Sequence, residues 1–212
     1  MSFIEKINPL QLDILKEMGN IGAGNAATAL SAILNRKIDM NVPNVRIVSF
    51  DEMMEMAGGP DHVVASVFLR IEGDASGSMF FILTLPVAQY LIRQMTGDET
   101  FSIDSTPYTE LAFSSLQELG NILSGSYLSS LADFTRLNLY PSVPSLSIDM
   151  AGAAISYGLL ELSQVSDAAI VIDTVLEKDQ LLAESFDGHF FLLPDPEFFD
   201  IIFAALGVTP ND

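Results

Sequence analysis

The segment Lys16–Ala29 reads KEMGNIGAGNAATA, and Gln117–Ser130 reads QELGNILSGSYLSS. The first sets Gly19, Gly22 and Gly24 around one Glu and two Asn in a stretch otherwise suited to a helix. The second repeats its opening, so that Glu17, Gly19 and Asn20 return as Glu118, Gly120 and Asn121, 101 residues later. The same spacing carries Leu15 onto Leu116, Gly24 onto Gly125, Leu30 onto Leu131, Pro43 onto Pro144 and Ile47 onto Ile148. Farther along the spacing is 110, with Pro86 falling on Pro196 and Gly97 on Gly207. The second copy therefore carries nine more residues, between about 149 and 189. Two copies of this length are an internal duplication, too few and too long for a solenoid.

Each copy reads alike. Asn8-Pro9 and Thr106-Pro107 each supply an N-cap and a proline for the first helical position. The long helices they open should run to about Asn35 and Thr135. Extended segments follow, KIDMNVPNVRIVSF and NLYPSVPSLSIDM, each with prolines suited to a strand start, edge or bulge. A short helix is expected near Asp51–Ala57 and again near Ala151–Ser163. Hairpin-spaced strands come next, HVVASVFLRIE with SMFFILTL and AAIVIDTVLE with HFFLLP, and His189 follows an Asp187-Gly188 turn. A closing helix ends at Gly97 in one copy and Gly207 in the other. The expected architecture is one mixed α/β (α+β) domain over residues 1–212. It consists of repeats at about 9–97 and 107–207, joined by 98–106, with pseudo-twofold symmetry and a largely antiparallel sheet.

A helix turns about 100° per residue, which assigns faces. In the first helix Leu12, Leu15, Gly19, Gly22, Ala26, Leu30 and Ile33 turn inward, and Asp13, Glu17, Asn20, Gly24 and Ser31 outward. In the second, Phe113, Leu116, Gly120, Leu123, Tyr127 and Phe134 turn inward, and Ser114, Glu118, Asn121 and Gly125 outward. Residues three apart are neighbours on a helix surface, so each Glu-x-x-Asn pair forms a solvent-facing ridge. Gly19, Gly22 and Gly120 allow close packing on the buried side. Gly24 and Gly125 are different, because an exposed helical glycine costs about 1 kcal/mol relative to Ala. Either they end or kink the helix, or something must approach the backbone there.

Composition narrows the chemistry. With 9 Lys and Arg against 28 Asp and Glu, the formal net charge is −19, and nucleic acid is a poor partner. There is no cysteine, which removes disulfides, thiol catalysis and cysteine-ligated metals. No apolar run approaches the roughly 18 residues of a membrane span, and MSFIEKINPL lacks a signal-peptide core, so a soluble cytoplasmic protein without membrane insertion is expected. His62 and His189 lie far apart without ligand spacing, and no metal site is expected. The glycines of GNIGAGNA run in the reverse order of a dinucleotide fingerprint and follow a helix rather than a strand. No G-x-S-x-G elbow occurs. Met53, Met54 and Met56 are expected in the core.

The pattern Asp13, Glu17, Asn20, Gly24 and its copy Ser114, Glu118, Asn121, Gly125 resembles the CheC/CheX/FliY family of bacterial chemotaxis phosphatases. The resemblance covers essentially the whole chain, including the duplication. It implies hydrolysis of the aspartyl phosphate on a CheY-type response regulator, whose own Mg²⁺ and lysine balance the phosphoryl charge. No cofactor belongs to the phosphatase itself. Asn20 and Asn121 would orient the attacking water, Glu17 and Glu118 would pair with the receiver's lysine, and Asp13, Gly24, Ser114 and Gly125 would touch the receiver. The family also implies a second partner, the receptor deamidase CheD, for which Asp149, Gly152, Ala153, Ile155 and Tyr157 in the expanded region are candidate contacts. An alternative is a non-catalytic adaptor that binds phosphorylated CheY and sequesters CheD.

Overall fold

The computed structural model of the chain describes residues 7–35, 37–42, 44–104, 107–159, 168–176, 186–195 and 197–208, with the backbone alone described at 157–159, 168, 173, 175–176, 186–188 and 194. The start of the first helix, α1 (Pro9–Leu34), follows from side-chain chemistry. Gln11 N–H donates to Asn8 Oδ1 at 2.9 Å, and Asn8 N–H donates to Gln11 Oε1 at 2.9 Å. This reciprocal capping box satisfies two of the orphan donors of the first turn.

The other long helix begins later than expected. Thr109, not Thr106, is the cap: its Oγ1 accepts the Ala112 N–H at 3.2 Å, and the helix runs Glu110–Thr135. Tyr108 before the cap packs edge-on against Phe113 in the second turn, ring centres 5.6 Å apart, as a hydrophobic staple. Pro107 thus precedes the helix, and Thr106 lies outside the described residues, as do Pro43, Pro196 and positions 160–163.

Between and after the long helices the chain alternates strands and short helices. The first copy gives β1 (Met40–Asn41), β2 (Val45–Ser49), α2 (Phe50–Met56), β3 (Val63–Gly73), β4 (Gly77–Thr84) and α3 (Leu85–Thr96). After α4 (Glu110–Thr135) the second copy gives β5 (Leu139–Pro141), β6 (Ser145–Met150), α5 (Ala151–Leu159), β7 (Ala168–Leu176), β8 (Phe186–Pro194) and α6 (Phe198–Ala205). Gly97 and Gly207 take φ of +72° and +71° just after α3 and α6, the left-handed turn that glycine adopts without strain.

The sheet order is β1-β7-β8-β4-β3-β5, with β2 also on β7 and β6 also on β3. Every pairing among the described residues is antiparallel. The copies exchange strands: β2 of the first lies on β7 of the second, and β6 of the second lies on β3 of the first. They meet at β4 and β8, where Phe80 faces Phe191 and Phe81 faces Phe190. Asp187 and Gly188 belong to β8 rather than to a turn, so His189 is a strand residue opposite Asp173 and Ile82.

Strand alternation feeds two cores. Met79, Phe81, Leu83, Phe190, Leu192, Ile170 and Ile172 face one side, under α1, α3, α4 and α6. Phe80, Ile82, Phe191, Leu193, Ala169 and Val171 face the other, joined by Met53 of α2 and Ile155 of α5, with Met54 and Met56 half-buried around them. Burial on both faces explains why these strands read as near-continuous apolar runs. No helix among the described residues is long and apolar enough to cross a membrane.

The inward stripe of each long helix follows steps of four more often than steps of three. Leu34 packs against the core one turn beyond Leu30, and Thr135 is buried one turn beyond Leu131. Ile33 and Phe134, expected inward, are each 45% exposed. At the other end Ala112 takes the inward place, and Phe113 is 38% exposed beside Tyr108.

Arg70 of β3 is tied to the residue after β8: its Nη2 lies 2.7 Å from Asp195 Oδ2, its Nη1 3.1 Å from Oδ1, and Nη1 also donates to Ser78 Oγ at 2.8 Å. Burial alone would raise the Asp195 carboxyl, but bonds from Arg70 and Ser76 and the Arg70 charge hold it below the usual carboxylate value. The stabilisation this implies is complete above the unfolded-state pKa and lost as pH falls through the lower folded one. Asp195→Asn should therefore lower stability at pH 7 by about 1–3 kcal/mol, because it leaves a half-buried guanidinium without its counter-ion. Urea unfolding at several pH values checks this, with the gap from wild type closing in acid.

Candidate functional site

Both Glu-x-x-Asn ridges stand on the long helices. On α1, Asp13, Glu17 and Gly24 are exposed and Asn20 is half-buried; on α4, Ser114, Glu118 and Asn121 are exposed and Gly125 is half-buried. Asn121 Nδ2 donates to Glu118 Oε2 at 3.4 Å, so the pair spaced by three is brought together as helical geometry requires.

The glycines divide as their faces predict. A Cβ on Gly22 would lie 2.9 Å from Tyr127 Cδ1 and 3.0 Å from Tyr127 Cα, so this glycine lets α1 and α4 touch backbone to backbone. A Cβ on Gly19 would lie 3.2 Å from Ile172 Cγ2, and one on Gly120 would run into Val67 Cγ1 of β3. Gly24 and Gly125 would meet nothing within 4 Å, so packing inside the chain does not require them. Beneath the ridges Tyr127 stacks on Phe190 with ring centres 4.4 Å apart, and its hydroxyl lies 2.8 Å from Thr174 Oγ1. Burial raises that phenol to about 12, which removes it from acid–base work near neutrality.

Two features of the ridges were not among the expected site residues. Leu10 and Leu111 are 50% and 60% exposed, seven residues before each Glu and therefore two turns up the same stripe. Their recurrence at the 101 spacing was the available signal. The second is that Asn20 Oδ1 accepts the backbone N–H of Val42 at 2.9 Å, whereas in the other copy Gln117 Nε2 donates to the Pro144 carbonyl at 2.9 Å. Nothing in the two near-identical motifs distinguishes them in this way.

On the opposite side of the sheet, Ser66, Phe68, Ser147, Asp149 and Ala153 line a groove of about 360 Å³. Asp149 and Ala153 are exposed and Gly152 is half-buried, its N–H donating to Pro60 O at 2.8 Å. Ile155 is not a surface residue: it is fully buried in the core beside Phe80 and Phe191, because α5 turns that side to the sheet. The Tyr157 side chain lies outside the described residues.

The arrangement has carboxylate–amide pairs on two exposed helix faces over one shared antiparallel sheet. The sheet and its helices share the fold of FliY from Thermotoga maritima, which superposes with a TM-score of 0.72 at 20% identity, covering 95% of this chain and 98% of that one. A chain of the CheX–CheY–BeF3–Mg²⁺ complex from Borrelia burgdorferi superposes with a TM-score of 0.52 at 14% identity, covering 81% of this chain and 94% of that one. The CheC-like family matches residues 10–47 and 112–148, two segments that each run from a long helix into β2 or β6. CheY-P phosphatase CheC of Bacillus subtilis strain 168 is 51% identical over 209 residues, 99% of this chain and all of that protein. The chain belongs to the CheC-like family.

Proposed function

We propose that this protein is a chemotaxis phosphatase that hydrolyses the aspartyl phosphate of a CheY-type response regulator. The observation that carries the reading is the pair of exposed Glu-x-x-Asn ridges in a chain half identical, end to end, to a CheY-P phosphatase. An acyl phosphate is already activated, so the enzyme has little covalent chemistry to perform and acts mainly by positioning. Water attacks phosphorus in line, the bond to the aspartyl oxygen breaks, and the carboxylate leaves. The water's proton passes to a phosphate oxygen or to solvent. An amide both donates and accepts hydrogen bonds without ionising, so Asn20 or Asn121 can hold that water in line.

Glu17 and Glu118 pair with the receiver's lysine, and the receiver's Mg²⁺ supplies the remaining charge balance. Asp13, Ser114 and the two open glycines admit the receiver surface to the helix backbone. Both partners are cytoplasmic. The test is the decay of a phosphorylated CheY-type receiver with and without the protein: acceleration supports the enzyme, and binding without acceleration makes it the adaptor.

A second surface serves the deamidase CheD, on the exposed Asp149 at the end of β6 and Ala153 in the first turn of α5, on the other side of the sheet from the ridges. Asp149→Lys reverses an exposed charge at the mouth of the groove. It should abolish capture of CheD in a pull-down while leaving receiver dephosphorylation in the absence of CheD unchanged. Undiminished capture would move the docking surface elsewhere.

A further inference from the structure

The two ridges share a motif but differ in one bond. Val42 is 2% exposed, so its N–H is cut off from water and needs a partner within the chain. Asn20 Oδ1 is that partner, at 2.9 Å. The equivalent valine of the second copy, Val143, is 83% exposed, so solvent can serve its N–H. The neighbouring Ser142 is held differently, by Ser142 N–H to Arg70 O and Arg70 N–H to Ser142 Oγ, both 2.9 Å, and Gln117 holds the Pro144 carbonyl. The second copy therefore secures the segment after its first strand without using its asparagine.

We infer that the two ridges are unequal: Glu118 and Asn121 form the working site of the resting protein, and Asn20 is latched to Val42, so that the first site works only when Val42 moves away from it. The inference rests on the phosphatase reading of the ridges. A water-orienting amide needs its carbonyl oxygen aimed at the water. Asn20 aims that oxygen at its own backbone, and turning it outward strands a buried N–H. Asn121 is exposed and can turn without that penalty. Displacement of Val42, which directly follows the β1–β7 pairing, would then control the first site.

The experiment combines an activity comparison with a structural one. Asn121→Ala should lower the saturating rate of receiver dephosphorylation tenfold or more, with little change in the receiver concentration at half-saturation. Asn20→Ala should lower the rate less than twofold while lowering the melting temperature. Should Asn20→Ala not fold, Asn20→Asp keeps an oxygen for Val42 and can be compared with Asn121→Asp. Replacing the Val42 amide by an ester in the Asn121→Ala background removes the latch donor without altering a side chain, and should raise the residual rate several-fold. Equal losses from the two asparagine variants, or an ester without effect, overturn the inference while leaving the phosphatase intact. Amide exchange supplies a readout independent of catalysis: Val42 should be protected in wild type and lose protection in Asn20→Ala. Exchange at Val42 as fast as at Val143 would refute the latch even if the protein were no phosphatase.

Discussion

Decay of the receiver's aspartyl phosphate should return to its spontaneous rate when Asn20→Ala and Asn121→Ala are combined. The reason lies in what the protein supplies. The receiver holds the phosphoryl group and its balancing charges, so the visiting helices add little beyond an oriented water. Misplacing a reacting group costs on the order of 100-fold, equivalent to about 2.7 kcal/mol of barrier. With both amides gone, no side chain at those positions can hold the water, and the whole increment should vanish. The double variant should still fold, because Asn121 is exposed and only Asn20 satisfies a buried donor. It should also still bind the phosphorylated receiver, since Glu17, Glu118 and the open glycines remain. Single-turnover decay alongside a binding isotherm separates these: lost rate with retained binding is the expected result. Undiminished acceleration would remove the asparagines from the chemistry.

Much of this was legible in sequence because the chain states it twice. One copy of Glu-x-x-Asn is a weak signal, but a second at the same distance from matching leucines, glycines and prolines identified both helices and their outward faces. Local rules located most elements. They placed the second helix start three residues early, because Pro107 was read as the first helical residue when Tyr108, Thr109 and Phe113 form the cap and staple. Periodicity alone also put Ile33 and Phe134 inward, where the helix gives those places to Leu34 and Thr135. The exchange of β2 and β6 between copies could not be read, since each strand's pattern suits either neighbour. The Asn20–Val42 bond was hidden for a similar reason. It depends on whether a valine after the helix is buried, a property of packing rather than of the motif.

The glycines test whether the exposed and buried faces were assigned for the right reason. Gly120→Leu should destabilise the protein by roughly 3 kcal/mol, lowering Tm by roughly 6–12 °C for a chain of this size. Helix propensity pulls the other way, since any residue but proline is favoured over glycine by up to about 1 kcal/mol. Sterics win because the new Cβ would run into Val67, which is 3% exposed on a strand paired on both sides. Neither helix nor strand can withdraw without opening the core beneath α4. Gly24→Ala and Gly125→Ala meet nothing within 4 Å, so the same propensity term acts unopposed. Each should raise stability by about 0.5–1 kcal/mol. If these glycines exist to admit the receiver, that gain comes with a higher receiver concentration at half-saturation and an unchanged saturating rate. A variant more stable and equally good at capturing the receiver would show that Gly24 and Gly125 serve neither packing nor docking.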